Sequence, residues 1–384
     1  MTVLYILDYG TVGGATRSFV EMVTQLKKLG VRPIVVTSKR NELNIQLENL
    51  GIKTVAAGHY TILEPLLKNK MKWPLVLLRN ILRYHLREYR ALAKLNIEID
   101  FTKIDLIHTN SARNSLGCRL NKKYHIPHIM HIREFADADF NCVPLSPYIN
   151  LYNKYTTEFI SISENVRQHW IKKGIRGEKI KTIYNGICNE DILISCNEDK
   201  FNDAIRMVIV GGVCEAKGQH LAVEAIGKVP LEIQKHISLD IIGWTDAEYI
   251  KKINKLSEKY KIKDKINILG SRNDVHEILN NYQIGLMCSR AEGFGRTTAE
   301  YMHARLGVIA SNTGANPELI QNGITGLLYD SGDSSKLAEC IAFFYYNRNE
   351  LVKMSINAQK KALANFTDKL NANNIFNLYN SIQK

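Results

Sequence analysis

Short apolar runs bounded by glycine or polar residues alternate along this chain with longer stretches whose apolar positions recur every three to four residues. Continuous apolar runs of four to eight residues predict strands buried on both faces, and the three-to-four spacing predicts helices laid against them. In the first half the strands fall at Val3–Leu7, Val31–Thr37, Ile52–Ala56, Ile104–Thr109, Pro127–Ile132, Phe159–Ser161 and Ile180–Ile187. Helices over Ala15–Leu29 and Glu42–Leu50 separate the first three, and Ser163 caps another. The stretch 188–204 is polar, lacks a period and reads as a linker. A second series follows, with strands at Arg206–Val210, Leu239–Ile242, Ile266–Leu269 and Ile284–Cys288, and helices over Gln219–Val229, from Asp274, over Asp333–Tyr346 and over Leu351–Gln383. Strand, glycine turn and helix, repeated in two halves, predict an α/β chain of two doubly wound parallel sheets. The domains are expected at 1–187 and 205–365, with a terminal helix over 366–384.

One segment departs from the alternation. Residues 68–94 carry eight basic side chains (Lys68, Lys70, Lys72, Arg79, Arg83, Arg87, Arg90 and Lys94) against the single acid Glu88. At helical spacing the last five form a stripe beside an apolar face of Leu75, Leu78, Leu82, Leu86 and Tyr89, with Trp73 and Pro74 at the start. Two readings compete. Either the helix lies on an anionic membrane leaflet, or its apolar side packs on the sheet and its charges are merely solvated.

Composition narrows the class. The 384 residues, 45% hydrophobic and 8% aromatic, suit two soluble globular domains. Seven cysteines, at 118, 142, 188, 196, 214, 288 and 340, form no C-x-x-C pair, so a reduced, structural role is expected. Met1 leads straight into a strand and no apolar run would span a bilayer, which reads as a cytoplasmic protein. The net charge of +13 favours an anionic partner, but its concentration on one helix, without a recognisable motif, argues against nucleic acid.

The candidate chemistry centres on Ser289–Tyr329. Its loop Glu292, Gly293, Phe294, Gly295 runs into a helix expected near Thr297 or Thr298, so backbone N–H groups and the positive dipole end converge on an anion. Glu292 and Glu300 flank this turn, and carboxylates beside an anion site suit a ligand rich in hydroxyls. Phosphate plus polyol describes a nucleotide sugar. Further on come Asn312, Gly314, Pro317, Glu318, Gly323, Gly326 and Leu327; upstream, Gly211, Gly212, Lys217 and Gly218 precede a helix.

In order and spacing these residues resemble the donor-binding domain of retaining glycosyltransferases of family four. The resemblance implies the GT-B fold: two Rossmann-like domains facing one another across a cleft, the last helix crossing back to the first domain. It assigns Glu292 to the donor-sugar hydroxyls and Glu300 to the ribose. Lys217, with an arginine that the family places where Gly212 stands here, would neutralise the leaving diphosphate; Arg296 or Arg17 is expected to supply the missing charge. The amides of Phe294, Gly295, Thr297 and Thr298 would hold sugar and phosphate, and Gly270 and Arg272 the base. In the first domain Gly13 and Gly14 would lie against the phosphates, and His131 of the tetrad His131–Glu134 would line the acceptor side. An isolated strand histidine is more often a satisfied core residue, and a solvent-facing Arg17 competes with a cleft-facing one. Asp137-Ala138-Asp139 has the spacing of the metal-binding D-x-D of the GT-A fold, a reading rejected because the rest of the chain follows GT-B.

The implied reaction is metal- and cofactor-free transfer of a hexosyl group with retention, the leaving phosphate helping to deprotonate the acceptor. A UDP-sugar donor and a lipid-linked saccharide acceptor at the inner face of the cell membrane, as in capsule, exopolysaccharide or cell-wall assembly, are the expected partners. Alternatives are a soluble sugar or protein acceptor, or a noncatalytic nucleotide-sugar-binding protein.

Overall fold

The computed structural model describes residues 1–8, 13–66, 73–136, 142–187 and 204–383. The linker at 188–203, the D-x-D aspartates 137 and 139, and Lys68, Lys70 and Lys72 lie outside these residues. The chain divides into two units, residues 1–186 with 368–384, and residues 187–367.

In the first unit a seven-stranded sheet runs in the order Lys53–Ala56, Arg32–Thr37, Thr2–Ile6, Leu106–Thr109, His128–Ile132, Glu158–Ser161, Ile180–Thr182, every neighbour parallel. Strand Thr2–Ile6 is buried from Val3 onward because helices cover both of its faces. Tyr5 packs with Phe19 and Met22 on one side, and Leu4 and Ile6 with Leu95, Phe101 and Leu116 on the other. A short antiparallel pair, Leu63–Pro65 with Cys142–Pro144, lies apart. The expected strand Ile180–Ile187 ends at Thr182, where the chain leaves the sheet.

The second unit repeats the plan in a six-stranded parallel sheet ordered Ile266–Gly270, Ile237–Ile242, Ile205–Val210, Ile284–Met287, Gly307–Ser311, Leu327–Tyr329. Both sheets place their earliest strand centrally and reverse direction of growth beside it, the doubly wound order. Ligands of such sheets bind at the carboxyl ends of the strands around that reversal.

The terminal segment is not one helix. It breaks into Arg348–Asn365 and Asp368–Gln383, because Phe366 leaves the helical path and turns its ring edge-on to Phe294 while its carbonyl accepts from the Ile187 amide. After the break, Ala372, Ile375, Leu378 and Tyr379 join the core of the first unit.

The basic helix spans Trp73–Glu98, and of the two competing readings the one in which its leucine face packs on the sheet does not hold. The buried positions are Asn80, Tyr84, Glu88, Ala91 and Leu95, while Leu75, Leu78, Leu82, Leu86 and Tyr89 face outward. Hydrogen bonds seat part of the inward face: Tyr84 Oη lies 2.5 Å from Ser115 Oγ, which donates to Glu88 Oε2 at 3.0 Å.

Candidate nucleotide-sugar site

In the second unit, strand Ile284–Met287 delivers the loop that ends in the helix Arg296–His303. Gly295 begins this helix in the left-handed conformation, φ 82°, which a side chain would strain, and as a glycine it offers no capping side chain of its own. The dipole's positive end and the first-turn amides of Arg296, Thr297 and Thr298 therefore point one way. The Thr298 hydroxyl is turned inward and donates to Asn316 Oδ1 at 2.9 Å, so only its backbone is on offer. Phe294 is likewise buried, with its ring against Phe366.

Four of the expected residues meet in two ion pairs beside that helix end. Lys217 Nζ donates to Glu292 Oε1 at 2.5 Å, and Arg296 Nε to Glu300 Oε1 at 2.9 Å. The second pair is nearly buried, with side-chain exposures of 13% and 7%, and so carries the desolvation cost that only good geometry repays. His276 Nε2 stands 3.9 Å from the same Glu300 carboxylate. One backbone contact joins the two loops of the first pair across a long sequence gap, and a second braces Glu292 from the other side. The Arg290 amide donates to Ala216 O, and the Ala315 amide donates to Glu292 O. Gly314, φ 56°, sits so close that a Cβ there would lie 2.3 Å from Glu292 O, which explains the glycine of the Asn312–Glu318 stretch.

Gly212 is explained by what covers it. A Cβ built there would lie 2.4 Å from the indole of Trp244, so the ring occupies the path a larger side chain would take. Gly270 closes strand Ile266–Gly270, and the nearby Arg272 is exposed and clamped to Asp274, Nε to Oδ1 at 2.8 Å. Of the two cations expected to replace the missing arginine, Arg296 stands at the helix end but is engaged by Glu300. Arg17 belongs to the other unit, is exposed, and bonds Glu21 at 3.1 Å. Gly13 precedes helix Gly14–Lys28, and both glycines are exposed.

His131, expected to line the acceptor side, is fully buried. Its Nδ1 is 3.3 Å from His108 Nε2 and 3.5 Å from Arg133 Nη2, while His108 Nδ1 is 2.5 Å from the Tyr379 hydroxyl. Burial, reinforced by Arg133, holds both imidazoles well below the ordinary range, so they are neutral. Arg133 itself donates to Asn110 Oδ1 and Asn185 Oδ1, both at 2.7 Å, and Glu134 accepts from Ser111 Oγ and the Ala112 amide. The tetrad thus ties together the carboxyl ends of three strands. Its histidine has no exposed atom, so the structure places it among these neighbours and not at a surface.

Sequence reasoning missed Trp244 as the cover of Gly212, His276 beside Glu300, and Asp8 at the end of the central strand. Burial pushes the Asp8 carboxyl up to about 7 even though Arg113 Nε lies 3.7 Å away. No spacing in the chain announces these three, since each is defined by a partner on another element.

Comparison with known proteins shows the family. The family description "Glycosyltransferase Family 4" matches residues 12–190, and "Glycosyl transferases group 1" matches residues 195–361. An uncharacterised glycosyltransferase of Methanocaldococcus jannaschii is 28% identical over 273 residues, 67% of this chain and 72% of that one. The lipopolysaccharide core biosynthesis mannosyltransferase LpcC of Rhizobium leguminosarum bv. viciae is 31% identical over 175 residues, 45% of this chain and 49% of that one. In fold, the chain resembles Anabaena HepE, solved in complex with UDP, with a TM-score of 0.79 and 19% identity over 99% of this chain and 100% of that one. Two Rossmann-like sheets, paired glutamates and lysine at a helix end, and these end-to-end matches make the chain a member of the group 1, family four glycosyltransferases of GT-B fold.

Proposed function

We propose that this protein is a retaining, metal- and cofactor-independent hexosyltransferase that moves a hexosyl group from a UDP-sugar to a hydroxyl of a lipid-linked saccharide in cell-surface polysaccharide synthesis. The observation that carries the reading is the pair of carboxylate–cation couples, Lys217–Glu292 and Arg296–Glu300, at the start of the helix headed by Gly295. A nucleotide sugar presents the complementary pattern, with a diphosphate for Lys217, Arg296 and the helix amides, and hydroxyls for the two carboxylates. Cleavage of the sugar–phosphate bond concentrates charge on the leaving diphosphate, so cations held in advance at that end lower the barrier more than they tighten ground-state binding. Glu292 would orient the sugar, Glu300 the ribose, and Gly270 with Arg272 the base. The UDP bound by the fold relative HepE and the core-saccharide role of LpcC support the choice of donor and of a cell-surface product. A lipid-linked acceptor would have the enzyme work at the inner face of the cell membrane, with the segment 68–94 toward it.

The test is hydrolysis of UDP-, GDP- and ADP-sugars with EDTA present, comparing the wild type with Glu292→Ala and Lys217→Ala. Slow hydrolysis of one UDP-sugar, undiminished by EDTA and reduced roughly a hundred- to a thousandfold in both variants, is expected. Failure to bind or hydrolyse any nucleotide sugar overturns the reading. Loss of activity on chelation overturns the metal-free part alone.

A further inference from the structure

The helix Trp73–Glu98 is built inside out for a protein surrounded by water. Its inward face carries Asn80, Tyr84 and Glu88, and Glu88 is buried beside Ser115 with Arg119 Nε 3.9 Å away. Its outward face carries a ridge of Leu75, Leu78, Leu82, Leu86 and Tyr89, each between 49% and 75% exposed. At helical rise that ridge is about 21 Å long. The intervals of three and four residues keep it straight along one side. Isolated exposed leucines are ordinary, whereas a contiguous ridge marks a surface with a partner.

The charges beside the ridge say which partner. Arg79, Arg83, Arg90 and Lys94 are exposed along one flank, and the Arg83 and Arg87 guanidinium groups stack over the Tyr60 ring at 5.5 and 5.2 Å, which fixes them beside the ridge. A second copy of this chain, laid ridge to ridge, would bring two cationic rows together. A leaflet of anionic phospholipid offers acyl chains to the leucines and phosphates to the arginines at the same depth. Nor is the helix apolar enough to cross a membrane. From this complementarity we infer that the helix lies in the plane of an anionic phospholipid leaflet with its leucine ridge inserted below the headgroups, so that docking is hydrophobic as well as electrostatic. The inference deepens the proposed function by supplying the surface on which a lipid-linked acceptor would be met, and it rests on that reading only for the acceptor.

The test is sedimentation of the full chain with vesicles of phosphatidylglycerol and phosphatidylcholine in equal parts, and with phosphatidylcholine alone. Wild type is compared with Leu78→Gln/Leu82→Gln and Arg79→Gln/Arg83→Gln, all exposed positions whose exchange leaves the core intact. Wild type is expected to bind the anionic vesicles and to keep part of that binding at about 1 M salt, where exposed charges are screened. The leucine variant is expected to lose roughly tenfold in affinity and all of the salt-resistant part. The arginine variant is expected to lose the salt-sensitive part and the preference for anionic vesicles. Absence of vesicle binding, or binding that the leucine variant retains in full, overturns the inference. Self-association of the wild type that the leucine variant abolishes, without vesicle binding, overturns it in favour of a second copy. Donor hydrolysis by the same samples is read separately: hydrolysis without vesicle binding defeats only this inference, and vesicle binding without hydrolysis defeats only the proposed function.

Discussion

Glu292 and Lys217 lie far apart in sequence and meet where the Arg290 amide, donating to Ala216 O, joins their loops. In this arrangement each neutralises the other, so a diphosphate that approaches Lys217 competes with a carboxylate already in place. Glu292→Gln is therefore expected to separate two effects. UDP itself should bind more tightly, because Lys217 is released, while hydrolysis of the UDP-sugar falls because the hydroxyls lose their charged acceptor; calorimetry with UDP against a hydrolysis assay checks the split. Weaker UDP binding in that variant would show that the ion pair positions Lys217 for phosphate. Trp244 makes a similar point about Gly212. The indole is 59% exposed and lies where a Cβ would go, so Gly212→Ala should swing the ring out and shift the tryptophan emission with a stability cost of about 1 kcal/mol. Gly212→Arg alone should gain little affinity for UDP, and Gly212→Arg with Trp244→Ala should gain more, because the guanidinium then finds room.

At the scale of elements, two outcomes turn on partners that no periodicity names. The terminal helix breaks at Phe366, whose ring packs edge-on to Phe294 of the glycine loop before the helix Arg296–His303. The basic helix turns its leucines outward because Ser115, Tyr84 and Arg119 give Glu88 a polar seat. That seat is costly. Burial pushes the Glu88 carboxyl up from 4.5 to about 7, with the Ser115 hydrogen bond and Arg119 opposing the shift. A carboxyl raised in the folded state lends stability at low pH that is lost as pH rises from about 4.5 through about 7. Glu88→Gln should accordingly gain stability relative to wild type between pH 4.5 and pH 8, by up to about 3 kcal/mol, read as the difference in unfolding midpoints at the two pH values. A pH-independent difference would mean that the carboxylate is solvated.

For the molecule as a whole, the two units answer acid differently. Burial lowers His59 and His128 to about 4, and holds His108 and His131 well below 6.5. Histidines depressed in the folded state lend stability above their unfolded value that is lost as pH falls through 6.5 towards their folded values. Asp8 and Glu88, both raised to about 7, act in the opposite sense over the same range. Between about pH 6 and 4.5 the unfolded chain thus holds four histidine protons that the folded one lacks, and the folded chain two carboxyl protons, a net of two. That corresponds to a loss of about 3 kcal/mol for each pH unit of acidification. All six groups belong to the first unit. Hydrogen exchange should therefore show strand Thr2–Ile6 losing protection at pH 5, relative to pH 7, while Ile205–Val210 keeps it; equal losses would contradict this account.

What the chain's order of residues determined by itself was the repeating strand–turn–helix plan and the position of the glycine loop at 292–295, because apolar period and glycine placement are local properties. The sheets, the central strands and the helix starting within two residues of Thr297 follow from that pattern. Glu292, Lys217, Arg296 and Glu300 were legible as candidates through their glycine context, but not their pairing, which depends on which loops touch. The amphipathic helix was legible as two faces at fixed spacing; which face is inward depended on Ser115 and Arg119, residues of a different element. His131 was legible as a strand-end residue, yet it is buried against His108, which Tyr379 holds from the other side. Only the tertiary structure decided these, since burial, ion pairing and the cover of Gly212 by Trp244 belong to contacts between segments distant in the chain, and no local sequence period encodes them.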